Sequence, residues 1–223
     1  MATPAGTFVF ADIAGFTALT EVHGDEAAAA LVDTFCSTVA RLLPPGGEHV
    51  KTIGDAVMLR IPQPADAIRL GVRLAAPETS EDGAGAAVRV GIHHGPAIAR
   101  DGDYFGATVN LAARVSSVAA GGEALVTGET AALAPDLDGI YYEARGRHVL
   151  RNIREPVELF SALRIGTTSG HLPVDPVCSM LVDPERAPGR LVFAGEAYFF
   201  CSLACAGIFA RDPERFAASG GEP

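Results

Sequence analysis

The stretch Phe-Val-Phe-Ala-Asp-Ile-Ala-Gly-Phe-Thr, residues 8–17, leads from an apolar segment into an aspartate and a glycine. Thr7 to Ile13 is a short apolar run typical of a β-strand, and Asp12 stands at its end. Apolar residues from Ala28 to Leu43 then recur at helical spacing, and the prolines and glycines at 44–47 end that helix. The sequence therefore predicts a strand followed by a helix, with an acidic side chain where the strand ends.

Similar patterns continue to Leu163 and complete one α/β unit. After the first helix, the predicted elements are strands at 50–53 and 56–61, a helix over about 65–75, a loop over 77–87, a strand beginning at 88, a helix beginning near 108 and ended by Gly121-Gly122, and strands at 123–127, 140–144 and 157–163. The β-α-β-β-α-β order, with additions, is typical of an α+β, ferredoxin-like sheet with helices on one face.

The composition limits the classes of function. The chain has 223 residues, of which 48% are hydrophobic, and a formal net charge of -10. That charge would repel nucleic acids and anionic membranes, so we expect neither as a partner, and a bound nucleotide would need metal ions or a few placed cations. No apolar stretch is long enough to span a membrane, and the first residues lack the features of a signal peptide. We therefore expect a cytoplasmic protein.

Two aspartates are candidate metal ligands. Asp12 ends the first strand, and Asp55 lies at the tip of a predicted hairpin. Carboxylate oxygens from neighbouring strands could bridge two Mg²⁺ ions, an arrangement that suits in-line attack at phosphorus. The alternative is that Asp12 caps a helix and Asp55 is an ordinary turn residue.

The third predicted helix carries a second candidate pair. Asn110 and Arg114 are four residues apart and so project from one helical face. A neutral donor beside a guanidinium would suit a ribose and a charged transition state at phosphorus. The alternative is a polar helix surface.

Five motifs in this order resemble the catalytic domain of the class III nucleotidyl cyclases. They are FVFADIAGFT (8–17), KTIGDAVM (51–58), VRVGIHHGPA (88–97), GDYFGATVNLAAR (102–114) and EPVELF (155–160). Each motif alone is weak, but five in the family's order and spacing are strong evidence. The resemblance implies a catalytic domain over residues 1–165.

The resemblance also assigns roles to individual residues. It implies that Asp12, Asp55 and the backbone carbonyl of Ile13 bind metal ions, and that the amides of Ala14 to Thr17, including Phe16 and Thr17, bind phosphates. It implies that Lys51 and Asp103 bind the purine. It also implies that Asn110 and Arg114 orient the ribose and stabilise the transition state. Arg151 or Arg154 is a further candidate contact to the triphosphate, and the spacing does not choose between them.

The purine pair favours ATP over GTP. Lys51 can donate to adenine N1 and Asp103 can accept from adenine N6, whereas guanine presents the reverse pattern. The resemblance thus implies an adenylate cyclase that converts ATP to 3′,5′-cyclic AMP and pyrophosphate with two Mg²⁺ or Mn²⁺ ions per site. Its sites would be shared between the subunits of a homodimer. The alternatives are a guanylate cyclase and a catalytically silent protein that binds a nucleotide or senses a metal.

A short linker at 166–172 precedes a second module at 173–223 that carries clustered cysteines. This module resembles the YHS and TRASH metal-binding modules, with Cys178, Cys201 and Cys205 as the matching residues and a β-hairpin predicted around Gly195-Glu196. Three thiolates suit Zn²⁺ or Cu⁺.

Several alternatives remain open for this module. The fourth ligand could be Asp175, His171 or water. The three cysteines could equally be reduced thiols packed in a small core. Our hypothesis is that the module senses a metal or a redox state and adjusts cyclase activity through the linker.

Overall fold

The computed structural model of the chain describes residues 5–76, 84–166 and 172–217. Its strands are β1 (Ala5–Ile13), β2 (Glu48–Ile53), β3 (Ala56–Ile61), β4 (Ala84–Gly85), β5 (Val88–Pro96), β6 (Ile98–Arg100), β7 (Asp103–Phe105), β8 (Ala124–Thr127), β9 (Ile140–His148), β10 (Val157–Arg164), β11 (Leu181–Val182), β12 (Gly189–Phe193) and β13 (Glu196–Phe200). Its helices are α1 (Phe16–His23), α2 (Asp25–Leu42), α3 (Pro64–Ala75), α4 (Ala107–Ser116), α5 (Gly128–Ala132), α6 (Leu203–Arg211) and α7 (Pro213–Ala217).

The predicted ferredoxin-like sheet is confirmed. Among the described residues, seven strands form the main sheet in the order β2-β3-β1-β5-β8-β10-β9. Only the pairing of β5 with β8 is parallel in this sheet. The strands β1, β2, β3 and β5 carry the βαββαβ order. The helices α2 and α3 pack on one face of these strands through residues such as Phe35, Val39 and Ile68.

The opposite face of the sheet carries α4, so the prediction of helices on one face holds only for the βαββαβ unit. Alternate residues of a strand point to opposite faces. Val90 and Ile92 of β5 therefore meet Gly71 of α3, whereas Gly91 lies against the backbone of α4. This close approach brings the C-terminal end of α4 to the centre of the sheet, beside the end of β1.

Gly91 permits this approach because it lacks a side chain. A Cβ at this position would overlap the backbone nitrogen of Ser116 and lie 2.5 Å from the carbonyl oxygen of Ala112. We expect Gly91→Ala to lower the free energy of unfolding by about 1–3 kcal/mol, since α4 would have to move. Gly207→Ala is the control, because Gly207 lies in α6 with open space around it. Denaturant unfolding of both variants checks this, and equal stabilities would contradict it.

Several boundaries differ from the predictions. A separate helix, α1, precedes α2, and Gly24 lies between them with a positive φ of 85°. The helix α4 ends at Ser116, before the predicted Gly121-Gly122, because tight turns from Val115 and Ser116 follow it. The described end of the loop predicted at 77–87 forms β4 instead, since it pairs with β11 of the second module.

The second module contains the short strand β11, the hairpin β12–β13 and the helices α6 and α7. The predicted hairpin is confirmed, and Ala194 and Gly195 at its turn both have positive φ, as a type I′ turn requires. Its buried cluster includes Phe200 and Phe209 and extends to Leu19 of α1. The module therefore packs directly on the first unit. Most of the linker predicted at 166–172 lies outside the described residues.

None of the helices in the described parts of the chain is long and apolar enough to cross a membrane.

Candidate functional site

Asp12 and Asp55 lie at neighbouring strand ends. Asp12 is near the end of β1 and pairs in register with Ala56, the residue after Asp55. Asp55 sits in the β2–β3 turn, where Gly54 has a positive φ of 63°. Partial burial and, to a smaller extent, the charge of Asp12 raise the pKa of the Asp55 carboxyl, although its own backbone amide opposes this. The two carboxylates are therefore close enough to repel each other.

Asp12 has two protein partners. Its Oδ2 pairs with Arg89 Nη2, and its Oδ1 accepts a hydrogen bond from Ser116 Oγ at 3.1 Å. Arg89 faces Asp12 because the two residues are opposite each other in the β1–β5 register. The Nε of Arg89 is buried and has no hydrogen-bond partner among the described residues. The guanidinium thus supplies positive charge next to Asp12 while part of its own hydrogen-bonding capacity stays unused.

These donors fit a site for hard divalent cations. Two carboxylates that repel each other in a half-buried position favour a bound cation, and Mg²⁺ and Mn²⁺ prefer such oxygen ligands. Ile13, the third predicted ligand, is the next residue of β1 and is buried. Each oxygen of Asp12 has one protein partner, so lone pairs remain on both oxygens for a metal ion.

The phosphate segment lies directly after these ligands. Gly15 adopts the left-handed conformation, with a φ of 67°, and α1 begins at Phe16. The amide of Ala14 already donates to the carbonyl of Ala87 at 2.7 Å. The amides from Gly15 to Thr17 are therefore the remaining candidate donors of the predicted segment, and a helix N-terminus favours anions.

The predicted purine pair is in direct contact. Lys51 Nζ donates to Asp103 Oδ2 at 2.6 Å, and the backbone N–H of Tyr104 donates to Asp103 Oδ1 at 2.8 Å. The Lys51 hydrogen bond, and then that of Tyr104, lowers the pKa of the Asp103 carboxyl. A charged donor and a charged acceptor therefore stand side by side, and both side chains are partly exposed.

The other predicted polar residues lie at the surface. Asn110 is exposed on α4, and Arg114 is partly buried one turn further along, two residues before Ser116. Arg151 and Arg154 are exposed between β9 and β10. The side chains of Asn110 and Arg114 thus share one helix with the residue that contacts Asp12.

The three cysteines predicted as metal ligands come together in the second module. Cys178 Sγ lies 3.3 Å from Cys201 Sγ, which lies 3.7 Å from Cys205 Sγ. Hydrogen bonds among the three thiols raise the pKa of Cys178 and lower the pKa of Cys205. All three are free thiols.

Asp175, one candidate for the fourth ligand, is fully buried and already engaged. Its Oδ1 accepts from the amide of Val177 and its Oδ2 from the amide of Cys201, both at 2.9 Å. It therefore joins the two segments that carry the cysteines. His171, the other candidate, lies outside the described residues.

Sequence reasoning missed two residues at these sites. Arg89 stands within the quoted motif VRVGIHHGPA, and the strand alternation that buries Val88 and Val90 places it on the face of Asp12. His23 ends α1, and its Nε2 lies 3.5 Å from Cys201 Sγ and 3.7 Å from Cys205 Sγ. Its only sequence signal is the four-residue spacing from the buried Leu19.

Comparison with known proteins matches both parts of the chain. The profile of the adenylate and guanylate cyclase catalytic domain matches residues 3–164, and that of the YHS domain matches residues 174–219. A pH-sensitive adenylate cyclase of Mycobacterium tuberculosis is 38% identical over 167 residues, which cover 74% of this chain and 42% of that protein. An adenylate cyclase of Streptomyces griseus is 41% identical over 120 residues, which cover 53% of this chain and 30% of that protein. The chain thus spans less than half the length of these relatives.

Solved structures share the fold. An adenylate cyclase of Trypanosoma brucei, solved in its monomeric state, superimposes with a TM-score of 0.66 at 26% identity, covering 81% of this chain and 94% of that one. The adenylyl cyclase CyaB of P. aeruginosa gives a TM-score of 0.60 at 25% identity, covering 74% of this chain and 97% of that one.

Proposed function

Because this chain belongs to the family of adenylate and guanylate cyclase catalytic domains and carries a YHS domain, we propose that it converts ATP to 3′,5′-cyclic AMP and pyrophosphate. We further propose a catalytic domain at 1–165, a linker at 166–172, a YHS-like module at 173–223 and a location in the cytoplasm, where ATP is available. The relatives whose names state an adenylate cyclase activity support this choice.

The contact between Lys51 and Asp103 is the observation that carries the choice of ATP. The 2.6 Å ion pair holds one donor and one acceptor side by side, which is the complement of adenine N1 and N6. Guanine O6 and N1 would meet the wrong partner at each position. A mismatched pair costs a few kcal/mol, or on the order of 100-fold in discrimination.

Asp12, Asp55 and the carbonyl of Ile13 would hold two Mg²⁺ or Mn²⁺ ions. Bound there, the ions would acidify the ribose 3′-hydroxyl and neutralise the leaving pyrophosphate. The amides at the start of α1 would bind the β- and γ-phosphates. In the reaction, the 3′-oxygen forms a bond to the α-phosphorus as the bond to pyrophosphate breaks.

The polar residues of α4 would complete the site from a second subunit. Asn110 would orient the ribose and Arg114 would stabilise the charge that develops on the α-phosphate. In this proposal Lys51, Asp103, Asn110 and Arg114 of one subunit face Asp12 and Asp55 of the other. Since one chain carries both sets, a homodimer would contain two equivalent sites.

The proposed activity is tested by incubating the purified chain with Mn²⁺ or Mg²⁺ and either ATP or GTP, and measuring both cyclic products. We expect cyclic AMP in large excess over cyclic GTP. Cyclic GTP as the main product would identify a guanylate cyclase. If the protein binds a nucleotide but forms neither cyclic product, it is a catalytically silent binding protein.

The YHS-like module would adjust this activity in response to a metal or a redox state. The packing of its cluster against Leu19 supports a direct route through α1 as well as through the linker. We expect Zn²⁺ or Cu⁺ titration at saturating Mn²⁺ to change cyclic AMP production by the wild type but not by Cys201→Ser. Identical responses of the two proteins would refute regulation through this site.

A further inference from the structure

Four metal-binding side chains converge where the second module meets α1. Three are Cys178, Cys201 and Cys205 of the module, and the fourth is His23, the last residue of α1 in the catalytic domain. Their ligand atoms all lie within 4.8 Å of one another. We propose that these four side chains bind one Zn²⁺ ion that joins the two domains.

Four of the six distances between the ligand atoms are close to those of a tetrahedral zinc centre. With Zn–S of about 2.3 Å and Zn–N of about 2.0–2.1 Å, tetrahedral angles separate two sulfurs by about 3.8 Å and a sulfur from a nitrogen by about 3.6 Å. The Cys201–Cys205 sulfurs are 3.7 Å apart. His23 Nε2 lies 3.5 Å and 3.7 Å from those two sulfurs, and the Cys178–Cys201 distance of 3.3 Å is slightly shorter.

The backbone around the cysteines fixes their positions. Ser202 caps α6 by accepting a hydrogen bond from the amide of Cys205 at 3.1 Å. The thiols of Cys201 and Cys205 thus flank the start of α6. Asp175 ties Cys201 to the turn that carries Cys178, as described above. The ligand set is therefore in place without rearrangement of the main chain.

Zinc suits this ligand set better than the other cations that thiolates bind. Three cysteines and one histidine in tetrahedral array are typical of closed structural zinc sites. Four protein ligands would leave no coordination position for a substrate; Cys178 and Cys205 are fully buried, and His23 and Cys201 are partly exposed. A module of about 50 residues also needs stabilisation beyond its small core, and a structural metal supplies it.

Zinc at this position would fix α1 at both of its ends. His23 would be held at the C-terminal end of α1, while Ser179, next to Cys178, already lies against Gly15 at the N-terminal end, where a Cβ would overlap it. The helix between them begins with the amides proposed to bind phosphate. Zinc would thereby help to hold the phosphate-binding amides in place. This effect on catalysis rests on the proposed function, whereas the zinc site itself does not.

The site is tested by zinc affinity of the full chain, measured by competition with a chromophoric chelator, together with the absorption spectrum of the Co²⁺ form. We expect one tightly bound Zn²⁺ per chain and an intense Co²⁺ spectrum of tetrahedral thiolate ligation. His23→Ala should weaken zinc binding by more than the roughly 10–100-fold that loss of an outer hydrogen-bond partner costs. His148→Ala, on β9 in the catalytic domain, should bind zinc as the wild type does.

Neither readout requires cyclase activity, so failure of the zinc site is distinguishable from failure of the proposed function. His23→Cys is the control for misfolding of His23→Ala. It supplies a fourth thiolate in place of the imidazole and should therefore retain tight zinc binding. Wild-type affinity in His23→Ala would overturn the proposal, as would a wild-type chain that takes up no zinc. Cu⁺ binding that is preferred over zinc and unaffected by His23→Ala would also overturn it, in favour of a three-cysteine copper site.

Discussion

Mixing two inactive variants, Asp12→Ala and Arg114→Ala, should restore cyclic AMP synthesis. Each variant alone should lose at least about 100-fold in kcat, because one lacks a metal ligand and the other lacks the cation that stabilises the transition state. In a heterodimer of the two, one site lacks both groups and the other is whole. At random reassociation of equal amounts, half the dimers are mixed, so about a quarter of all sites should be active.

The control for this experiment is a mixture of Asp12→Ala with Asp55→Ala. Both substitutions fall in the same half of the site, so no dimer of these two variants contains a whole site. Sedimentation of each variant must first show that it still forms dimers. Dimeric variants that gain no activity on mixing Asp12→Ala with Arg114→Ala would contradict the shared site.

Exchanging the purine pair should remove most of the preference for ATP. In Lys51→Glu/Asp103→Ser the acceptor at position 51 would face guanine N1, and the small residue at position 103 would remove the acceptor for adenine N6. We expect kcat/KM for ATP to fall on the order of 100-fold and the ratio of cyclic GTP to cyclic AMP to rise by a similar factor. Initial rates with each nucleotide at limiting concentration measure both effects.

Asp101→Asn is the matched control for this exchange. Asp101 is two residues from Asp103, its side chain is 89% exposed, and asparagine tolerates its positive φ of 53°. In this variant the ratio of kcat/KM for ATP to kcat/KM for GTP should stay at the wild-type value. If the double variant kept its preference for ATP, then Lys51 and Asp103 would not read the purine.

Local patterns in the sequence were sufficient to predict the seven strands of the main sheet, the β12–β13 hairpin and the helices α2, α3 and α4, but not β4, β6, β7, β11, α1 or α5. Alternation at Val57, Leu59 and Ile61 predicted β3, and these side chains lie in the main core. The hairpin of the second module followed from turn chemistry at Gly195. These elements were predictable because short-range periodicity and turn residues determine them.

Contacts between distant parts of the chain could not be predicted in the same way. His23 lies 178 positions before Cys201, and no local pattern relates one to the other. The contact between Arg89 and Asp12 depends on the register between β1 and β5. A shift of one residue in that register would place the Arg89 side chain on the other face of the sheet. The pairing of β4 with β11 depends on how the two domains pack.

The arrangement of ligands around a bound ATP analogue is the sharpest test of a two-metal site shared between subunits. The measurement is a crystal structure of the full chain with Mn²⁺ and an ATP analogue that cannot cyclise, with the metals located by anomalous scattering. We predict two Mn²⁺ ions on Asp12 and Asp55 of one subunit, with the adenine against the partner's Lys51 and Asp103. Adenine held by Lys51 and Asp103 of the same chain that binds the metals, or Mn²⁺ bound away from Asp12 and Asp55, would contradict the account.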